Sequence, residues 1–286
     1  MAMTINTNVA SLNAQRNTAA NSASLSTTMQ RLSSGLRINS AKDDAAGLAI
    51  ADRMNTQVRG MNVAVRNAGD AISMAQVAEG GLSTMNDLLQ RMRELAVQAS
   101  NAPNSVGTAG DIAKLKNEYD QLGKELRRML DATQFNGEKI LNTSASYVFQ
   151  VGANAGAENQ ITIANGDISL SGNAAFSAVA SGGASATLIT GTASANTANI
   201  AALDAAISAV NDRRASLGAL QSRFENTISY LRTASENQSA ARGRIMDADF
   251  AAETANLSRT QVLQQAGTAM IAQANQAPQQ VLALLR

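Results

Sequence analysis

The side chains that most often carry catalysis are missing from this chain. Its 286 residues include no His and no Cys, which excludes a His-based catalytic triad, a thiol nucleophile, a thiolate metal site and a disulfide. The 23 basic and 22 acidic side chains leave a net charge of +1. That balance argues against a protein that binds nucleic acid through a basic field. We therefore expect no enzymatic activity, no cofactor and no nucleic-acid partner.

Two pairs of carboxylates remain as candidates for acid–base or metal chemistry. Asp43 directly precedes Asp44, and a single residue separates Asp247 from Asp249. Neighbouring side chains on a helix point roughly 100° apart, and no third ligand is evident. Negative charge at a helix start, or pairing with another subunit, explains these residues better than chemistry. We predict no metal site.

The spacing of apolar residues predicts long, packed helices. They recur at alternating intervals of three and four, and we expect their Leu and Met side chains to form the core. The pattern covers residues 5–36, 61–99, 112–129, 203–237 and 250–284. Gly80-Gly81 should break the second segment, as a helix irregularity or a place of close backbone approach. Pro278 should kink or loosen the fifth, since it lacks an N–H and its ring crowds the preceding turn.

A short β region and a low-complexity stretch separate the two helical halves. Asn136-Gly137 predicts a tight turn. Residues 147–151 alternate as in a strand, and residues 161–163 and 168–170 are weaker strand candidates. Residues 171–199 are mostly small and uncharged, so we expect them to be loosely ordered or a minor surface element. The predicted fold is mainly α, a long antiparallel helical bundle or coiled coil of N- and C-terminal halves, with a small β-hairpin region in the middle.

The two ends of the chain carry unusually few charges. Residues 1–40 and 254–286 contain no acidic side chain, and 7 Gln fall between residues 261 and 280. A solvated helix face normally carries pairs of Lys and Glu. We therefore expect these ends to pack against other copies of the chain and to become ordered on assembly. No secretory signal and no apolar run of about 20 residues is visible, which predicts no membrane contact and either a cytoplasmic location or export without a cleaved signal.

The chain resembles bacterial flagellin over nearly its whole length, residues 143–200 excepted. Three long motifs carry the resemblance and occur in the family's order. They are LSSGLRINSAKDDAAGLAIADRM at 32–54, TQFNG at 133–137, and GRIMDADFAAE at 243–253 followed by QANQAPQQVLALLR at 273–286. The resemblance implies an inner terminal domain of residues 1–42 plus 246–286 and an outer helical domain of residues 43–142 plus 200–245. A short variable region of residues 143–199 would complete the chain.

This resemblance also implies function and partners. Flagellins polymerise into the flagellar filament, the helical propeller of swimming bacteria, and work outside the cell. They are exported unfolded by the flagellar type III route. The implied partners are other copies of the chain, an export chaperone, the filament cap and the hook–filament junction proteins. We predict that an apolar C-terminal tip packs against an apolar N-terminal face in the filament. These polymerisation residues are Ile5, Val9, Leu12, Val281, Leu282, Leu284 and Leu285.

One segment resembles a receptor-binding motif. Residues 90–98 are similar to the stretch of enteric-type flagellins that vertebrate Toll-like receptor five recognises. By that match Arg91 and Leu95 map to receptor contacts, and Glu118 maps to a third by its spacing from residues 133–137. Leu95 lies off the helical seam, so we expect it to face outward or toward another subunit. The same residues are expected to form contacts between subunits, so the receptor would recognise monomers.

Three other classes fit the pattern less well. A chemoreceptor-like signalling bundle is also rich in Ala and Gln, but the β and low-complexity insert occupies the place of its hairpin tip. A hook–filament junction protein is a closer rival, although the length of the motifs at both ends favours the filament subunit. An enzyme is the most distant alternative, because no convergent polar cluster is visible.

Overall fold

The computed structural model describes residues 7–101, 109–180 and 193–284. Long helices dominate this part of the chain, as the sequence predicted. The helices are α1 (Val9–Ser34), α2 (Ala45–Ala99), α3 (Ala109–Ala132), α4 (Asn165–Ile168), α5 (Ala174–Ala180), α6 (Ala193–Met246) and α7 (Phe250–Leu284). The strands are β1 (Gln134–Phe135), β2 (Glu138–Lys139), β3 (Tyr147–Gln150) and β4 (Gln160–Ile163). The predicted mainly α fold is confirmed.

The chain forms two compact units. One unit combines residues 1–56 with 236–286, and the other consists of residues 57–235. Both chain ends therefore belong to the first unit. The domain boundaries implied by the resemblance, near residues 42 and 245, remain a prediction for the assembled protein.

In the first unit, α1 and α7 pack side by side and run antiparallel. The Asn8 amide donates a 2.7 Å hydrogen bond to the Ala274 carbonyl, and the Ser11 hydroxyl donates to Asn275 Oδ1 at 2.8 Å. At the other end of the pair, the Phe250 ring lies beside Gly35. Polar side chains are buried along α1 and α7 instead of large apolar ones. They are Ser11, Thr28, Glu253 and Thr260.

The segments that link these helices to the rest of the chain are tied together. Arg37 N donates to the Met246 carbonyl at 2.6 Å, and Ala248 N donates to the Gly35 carbonyl at 2.9 Å. The Arg37 guanidinium adds a 2.6 Å hydrogen bond to the carbonyl of Ile245. Gly35 has a φ of 70°, which lets the chain leave α1 in the left-handed conformation. The two linkers thus hold the end of α1 and the start of α7 in register.

In the second unit, α2 packs antiparallel to both α3 and α6. Asn196 on α6 donates to the carbonyl of Ala99 at 3.0 Å, and Gln221 on α6 donates to Glu79 at 3.0 Å. The core between the three helices is made of Leu, Met and aromatic side chains, each contributing about 1.5–3 kcal/mol on burial. Its largest fully buried members are Tyr119, Phe176, Phe224, Met74, Leu82, Met85, Leu89, Met92, Leu95, Leu126 and Ile140.

The expected break at Gly80-Gly81 is wrong, because α2 is continuous from Ala45 to Ala99. The alternative expectation of close backbone approach holds at Gly81. A Cβ there would lie 2.9 Å from Thr133 Oγ1 and 3.2 Å from Leu141 Cδ1, whereas a Cβ at Gly80 would meet nothing within 4 Å. Gly81 therefore makes room for the chain that follows α3. α7 also continues through Pro278 as a single helix.

Two small antiparallel hairpins follow α3. Asn136 and Gly137 connect β1 and β2 with φ of 51° and 84°, the left-handed pair that a two-residue hairpin turn requires. β3 pairs with β4 from Tyr147 opposite Ile163 to Gln150 opposite Gln160. The Phe149 ring on β3 lies edge-to-face with Phe224, the ring centroids being 5.9 Å apart. This contact attaches the second hairpin to α6.

Two expectations for the middle of the chain are wrong. Residues 168–170 form no strand, because Ile168 ends the short helix α4 and Leu170 N bonds the Leu141 carbonyl at 3.0 Å. Part of the low-complexity stretch is also ordered. α5 buries Phe176 and Val179, and these few apolar side chains are enough to hold it on the core. Residues 181–192 lie outside the described residues.

Candidate functional site

Three of the four paired carboxylates, those of Asp43, Asp44 and Asp249, act as helix caps or turn acceptors. Asp44 Oδ1 accepts from Gly47 N at 2.8 Å at the start of α2, and Asp249 Oδ1 accepts from Ala251 N at 2.9 Å at the start of α7. Asp43 accepts from the backbone N–H groups of Asn39 and Ser40 and from the Ser40 hydroxyl, which lowers its pKa. Among the described residues, no group of three potential metal ligands is found.

The predicted receptor residues Arg91 and Glu118 contact each other. Arg91 Nε donates to Glu118 Oε1 at 2.9 Å, joining α2 to α3, and Arg91 Nη1 donates to Glu94 Oε2 at 2.9 Å. All three side chains are roughly half exposed or more. Hydrogen bonds from Arg91 to Glu94 and to Glu118 raise the pKa of the guanidinium. The site is thus a surface network whose positive charge is already shared between two carboxylates.

The expectation that Leu95 faces outward is wrong, since the side chain is only 1% exposed. The sequence argument assumed a single helical seam. This part of α2 contacts two helices: Arg91 bonds Glu118 on α3, and Arg93 bonds Asp204 on α6. A helix wedged between two partners buries a wider stripe than a seam, and Leu95 falls inside it.

Sequence reasoning missed the ion pair between Arg93 and Asp204. Arg93 Nε lies 2.6 Å from Asp204 Oδ1, and this hydrogen bond raises the pKa of Arg93. The partners are 111 residues apart, and no local pattern joins them. The pairing would follow only from knowing the register of α2 against α6.

Five of the seven polymerisation residues lie on α1 and α7. Val9 and Leu12 on α1 are exposed. Ile5 and Leu285 lie outside the described residues, and Val281, Leu282 and Leu284 belong to the last turns of α7. The predicted contact between the two tips stays a prediction.

Large apolar side chains stay exposed along α1 and α7, against the expectation that the Leu and Met of the helical pattern form the core. We call them the exposed apolar set. Its members are Val9, Leu12, Met29, Phe250, Val262, Leu263 and Met270. Side-chain hydrogen bonds from Asn8 and Ser11 join α1 to α7. The shortage of charge in these segments was the sequence signal for such a surface.

Other features of the described residues offer little to a small ligand. A shallow depression of about 550 Å³ is lined by six residues, all on α6: Ala219, Ser222, Arg223, Asn226, Thr227 and Tyr230. A groove formed by one helix lacks the enclosing walls of a typical ligand pocket. In the described ranges, no helix is both long and apolar enough to cross a membrane.

Comparison with known proteins gives two family matches that together cover most of the chain. Residues 5–146 match the bacterial flagellin N-terminal helical region, and residues 200–285 match the bacterial flagellin C-terminal helical region. The unmatched residues between them include β4, α4 and α5.

Similar proteins are known in several bacteria. The chain is 47% identical over 285 residues to a flagellin of Halalkalibacterium halodurans, covering 99% of this chain and 100% of that one. It is 40% identical over 310 residues to a flagellin of Bacillus subtilis, with coverage of 99% and 100%. A crystal structure of Bacillus cereus flagellin matches with 27% identity and a TM-score of 0.47, covering 62% of this chain and 94% of that one. The chain belongs to the bacterial flagellin family, the structural subunits of the flagellar filament.

Proposed function

We propose that this chain polymerises by packing α1 and α7 of one copy against those of its neighbours. The observation that supports this most is the exposed apolar set on two helices that carry almost no charge. A large apolar surface of that kind is costly in water and is removed by a partner. When contacts between different patches of identical subunits do not close into a ring, they propagate as a helical filament.

The proposed contact is tested by a matched pair of valine substitutions. Val262 on α7 belongs to the exposed apolar set and is 64% exposed, whereas Val148 on β3 is 57% exposed and lies in the other unit. Val262→Ser should reduce the yield of filaments grown with precipitant salt, while Val148→Ser should not. Sedimentation and negative-stain microscopy measure the yield. Equal yields from the two variants would contradict the proposal.

We further propose that the C-terminal tip packs against the N-terminal face within the inner tube of the filament. Val281, Leu282, Leu284 and Leu285 give the tip an apolar sequence, and Ile5, Val9 and Leu12 give the facing segment one. Deleting residues 281–286 should abolish polymerisation without unfolding the second unit, which circular dichroism would report. Undiminished filament growth would rule out this contact.

We infer that the chain leaves the cell through the flagellar type III route and becomes extracellular. The support is family membership together with a chain free of Cys, because a chain threaded through a narrow channel gains from lacking cross-links. The expected partners are an export chaperone, the filament cap and the hook–filament junction proteins. A strain without a functional flagellar export gate should retain the protein inside the cell. Export from that strain would contradict the route.

The soluble monomer is proposed as a ligand of vertebrate Toll-like receptor five through Arg91, Leu95 and Glu118. Arg91 and Glu118 present exposed charge on adjacent helices, and a guanidinium forms strong paired hydrogen bonds with polar groups of a partner. Because Leu95 is buried, its contribution is to hold α2 against its neighbours, or it must be released on binding.

The receptor proposal has a built-in control. Arg91→Ala combined with Glu118→Ala should lower receptor signalling by the purified monomer in reporter cells. Arg93→Ala combined with Asp204→Ala removes a second exposed ion pair from the same helix and should leave signalling unchanged. Equal effects of the two double variants would show that the loss comes from helix stability and not from recognition.

A further inference from the structure

Methionine is the most easily oxidised side chain in this protein. The chain has 11 Met but no Cys, Trp or His. Thioethers accept an oxygen atom readily, and how fast each one does so depends on its exposure. Any response of the folded chain to an oxidant therefore depends on which Met side chains the fold leaves open.

The fold separates these thioethers sharply. Met29 on α1 is 56% exposed and Met270 on α7 is 63% exposed. Five others are buried, namely Met61, Met74, Met85, Met92 and Met246, and Met54 and Met129 are intermediate. Met1 and Met3 lie outside the described residues. Both open thioethers are thus in the first unit and in the exposed apolar set.

We propose that Met29 and Met270 are oxidation sites whose conversion to the sulfoxide blocks self-assembly. The oxidant is hydrogen peroxide, which acts as a two-electron oxidant. The sulfur lone pair attacks one peroxide oxygen, the O–O bond breaks and an S–O bond forms. The second oxygen leaves as water after taking up the proton of the first, so sulfur is oxidised and peroxide is reduced by two electrons. The inference rests on the proposed polymerisation through α1 and α7.

The physical effect follows from the polarity of the product. A thioether is apolar and adapts its shape to the surface it packs on. A sulfoxide carries a strong hydrogen-bond acceptor, which is disfavoured in an apolar contact that offers it no donor. Oxidation would therefore weaken the contact between copies while leaving the fold of each copy intact, because the core Met residues are out of reach.

Assembly should in turn protect the two sites. If neighbouring copies cover α1 and α7, peroxide reaches Met29 and Met270 in the monomer but not in the filament. Peptide mapping by mass spectrometry after a short peroxide treatment measures this directly. We expect both residues to be oxidised at least about tenfold faster in the monomer than in the filament. Equal rates in the two states, or faster oxidation of Met74 and Met85, would overturn the proposal.

The decisive experiment compares the full chain with a Met29→Leu plus Met270→Leu variant. After peroxide treatment and removal of the peroxide, the critical concentration for salt-induced assembly should rise about tenfold in the wild-type chain, as expected for one unpartnered polar group in the contact. It should stay within about twofold in the variant. Met54→Leu plus Met129→Leu is the matched control and should remain as sensitive as the wild type.

Each outcome has a definite meaning. Normal assembly of wild-type chains that carry both sulfoxides overturns the proposal. So does loss of assembly by the oxidised Met29→Leu plus Met270→Leu variant, which retains Met1 and Met3 and would then respond through another site. Failure of the untreated chain to assemble occurs before any peroxide is added. That result would overturn the proposed polymerisation and this inference with it.

Discussion

The hydroxyl of Tyr119 on α3 donates a 3.0 Å hydrogen bond to Oδ1 of Asn199 on α6, and both side chains are buried. The contact joins two helices that the chain separates by the hairpins and by α4 and α5. Burial is the main reason that the pKa of Tyr119 rises to about 12.

The raised pKa makes stability depend on alkaline pH. The Tyr119 phenol loses its proton at about pH 10 in the unfolded chain but only at about pH 12 in the folded one. Its contribution to stability is therefore complete below pH 10 and is lost as the pH rises from about 10 to about 12. Urea unfolding across this range should show a steeper loss for the wild type than for Tyr119→Phe. Parallel curves would contradict the buried titration.

The neighbouring glycines of α2 should respond oppositely to alanine. Gly80→Ala places its Cβ in open space and should stabilise the protein by about 0.5–1 kcal/mol, because Ala favours helix. Gly81→Ala drives its Cβ against Thr133 and Leu141 and should destabilise by about 1–3 kcal/mol. Chemical denaturation of the two variants measures both effects. Stabilisation of the same size at both positions would refute the close approach at Gly81.

Leu95→Ala should destabilise the second unit by about 2–5 kcal/mol, since it opens a cavity in the core. Val97 lies two residues along the same helix and is exposed, so Val97→Ala should change the unfolding free energy by less than about 0.5 kcal/mol. Thermal unfolding followed by circular dichroism compares them. A neutral Leu95→Ala would mean that the side chain faces outward in solution, as the sequence first suggested.

Asp43 should matter in acid. Hydrogen bonds from the N–H groups of Asn39 and Ser40 hold its pKa below the usual value of 3.8. Its stabilising effect is present above that value and is lost as the pH falls through the lowered pKa of the folded state. Asp43→Asn should therefore narrow the stability difference between pH 5 and about pH 2.5, as measured by thermal unfolding. An unchanged difference would show that the turn needs no charge.

The sequence predicted the helices and the first hairpin better than it predicted which of them pack together. The spacing of three and four identified the long helices, and Asn136-Gly137 identified the first hairpin, because both signals are local. Leu95 was assigned to the wrong face because its environment depends on two helices that are distant in sequence. Likewise, nothing near Phe176 indicates that a tract of small residues contains a helix packed on the core.

For the surface of α1 and α7, too, the sequence predicted the helices but not all of their contacts. The lack of charge in α1 and α7 predicted ends that pack against other copies, and the described part of these helices leaves apolar side chains uncovered. Val9 and Leu12 were already named from the sequence, but the others were not predictable, because Leu263 and Met270 belong to the regular apolar pattern and yet remain exposed. Polar contacts such as that of Ser11 with Asn275 also join the two helices, and hydroxyl and amide positions carry no periodic signal.

The backbone bridge between Leu36 and Asp247 anchors the α1–α7 pair at the end where α1 stops and α7 begins. Fraying should therefore begin beside Asn8 and Asn275 and advance toward Gly35 and Phe250, so amide hydrogen exchange should slow steadily along both helices in that direction. When a frayed pair re-forms from this end, it starts from the same aligned residues. The bridge therefore disfavours a register that is shifted by one helical turn.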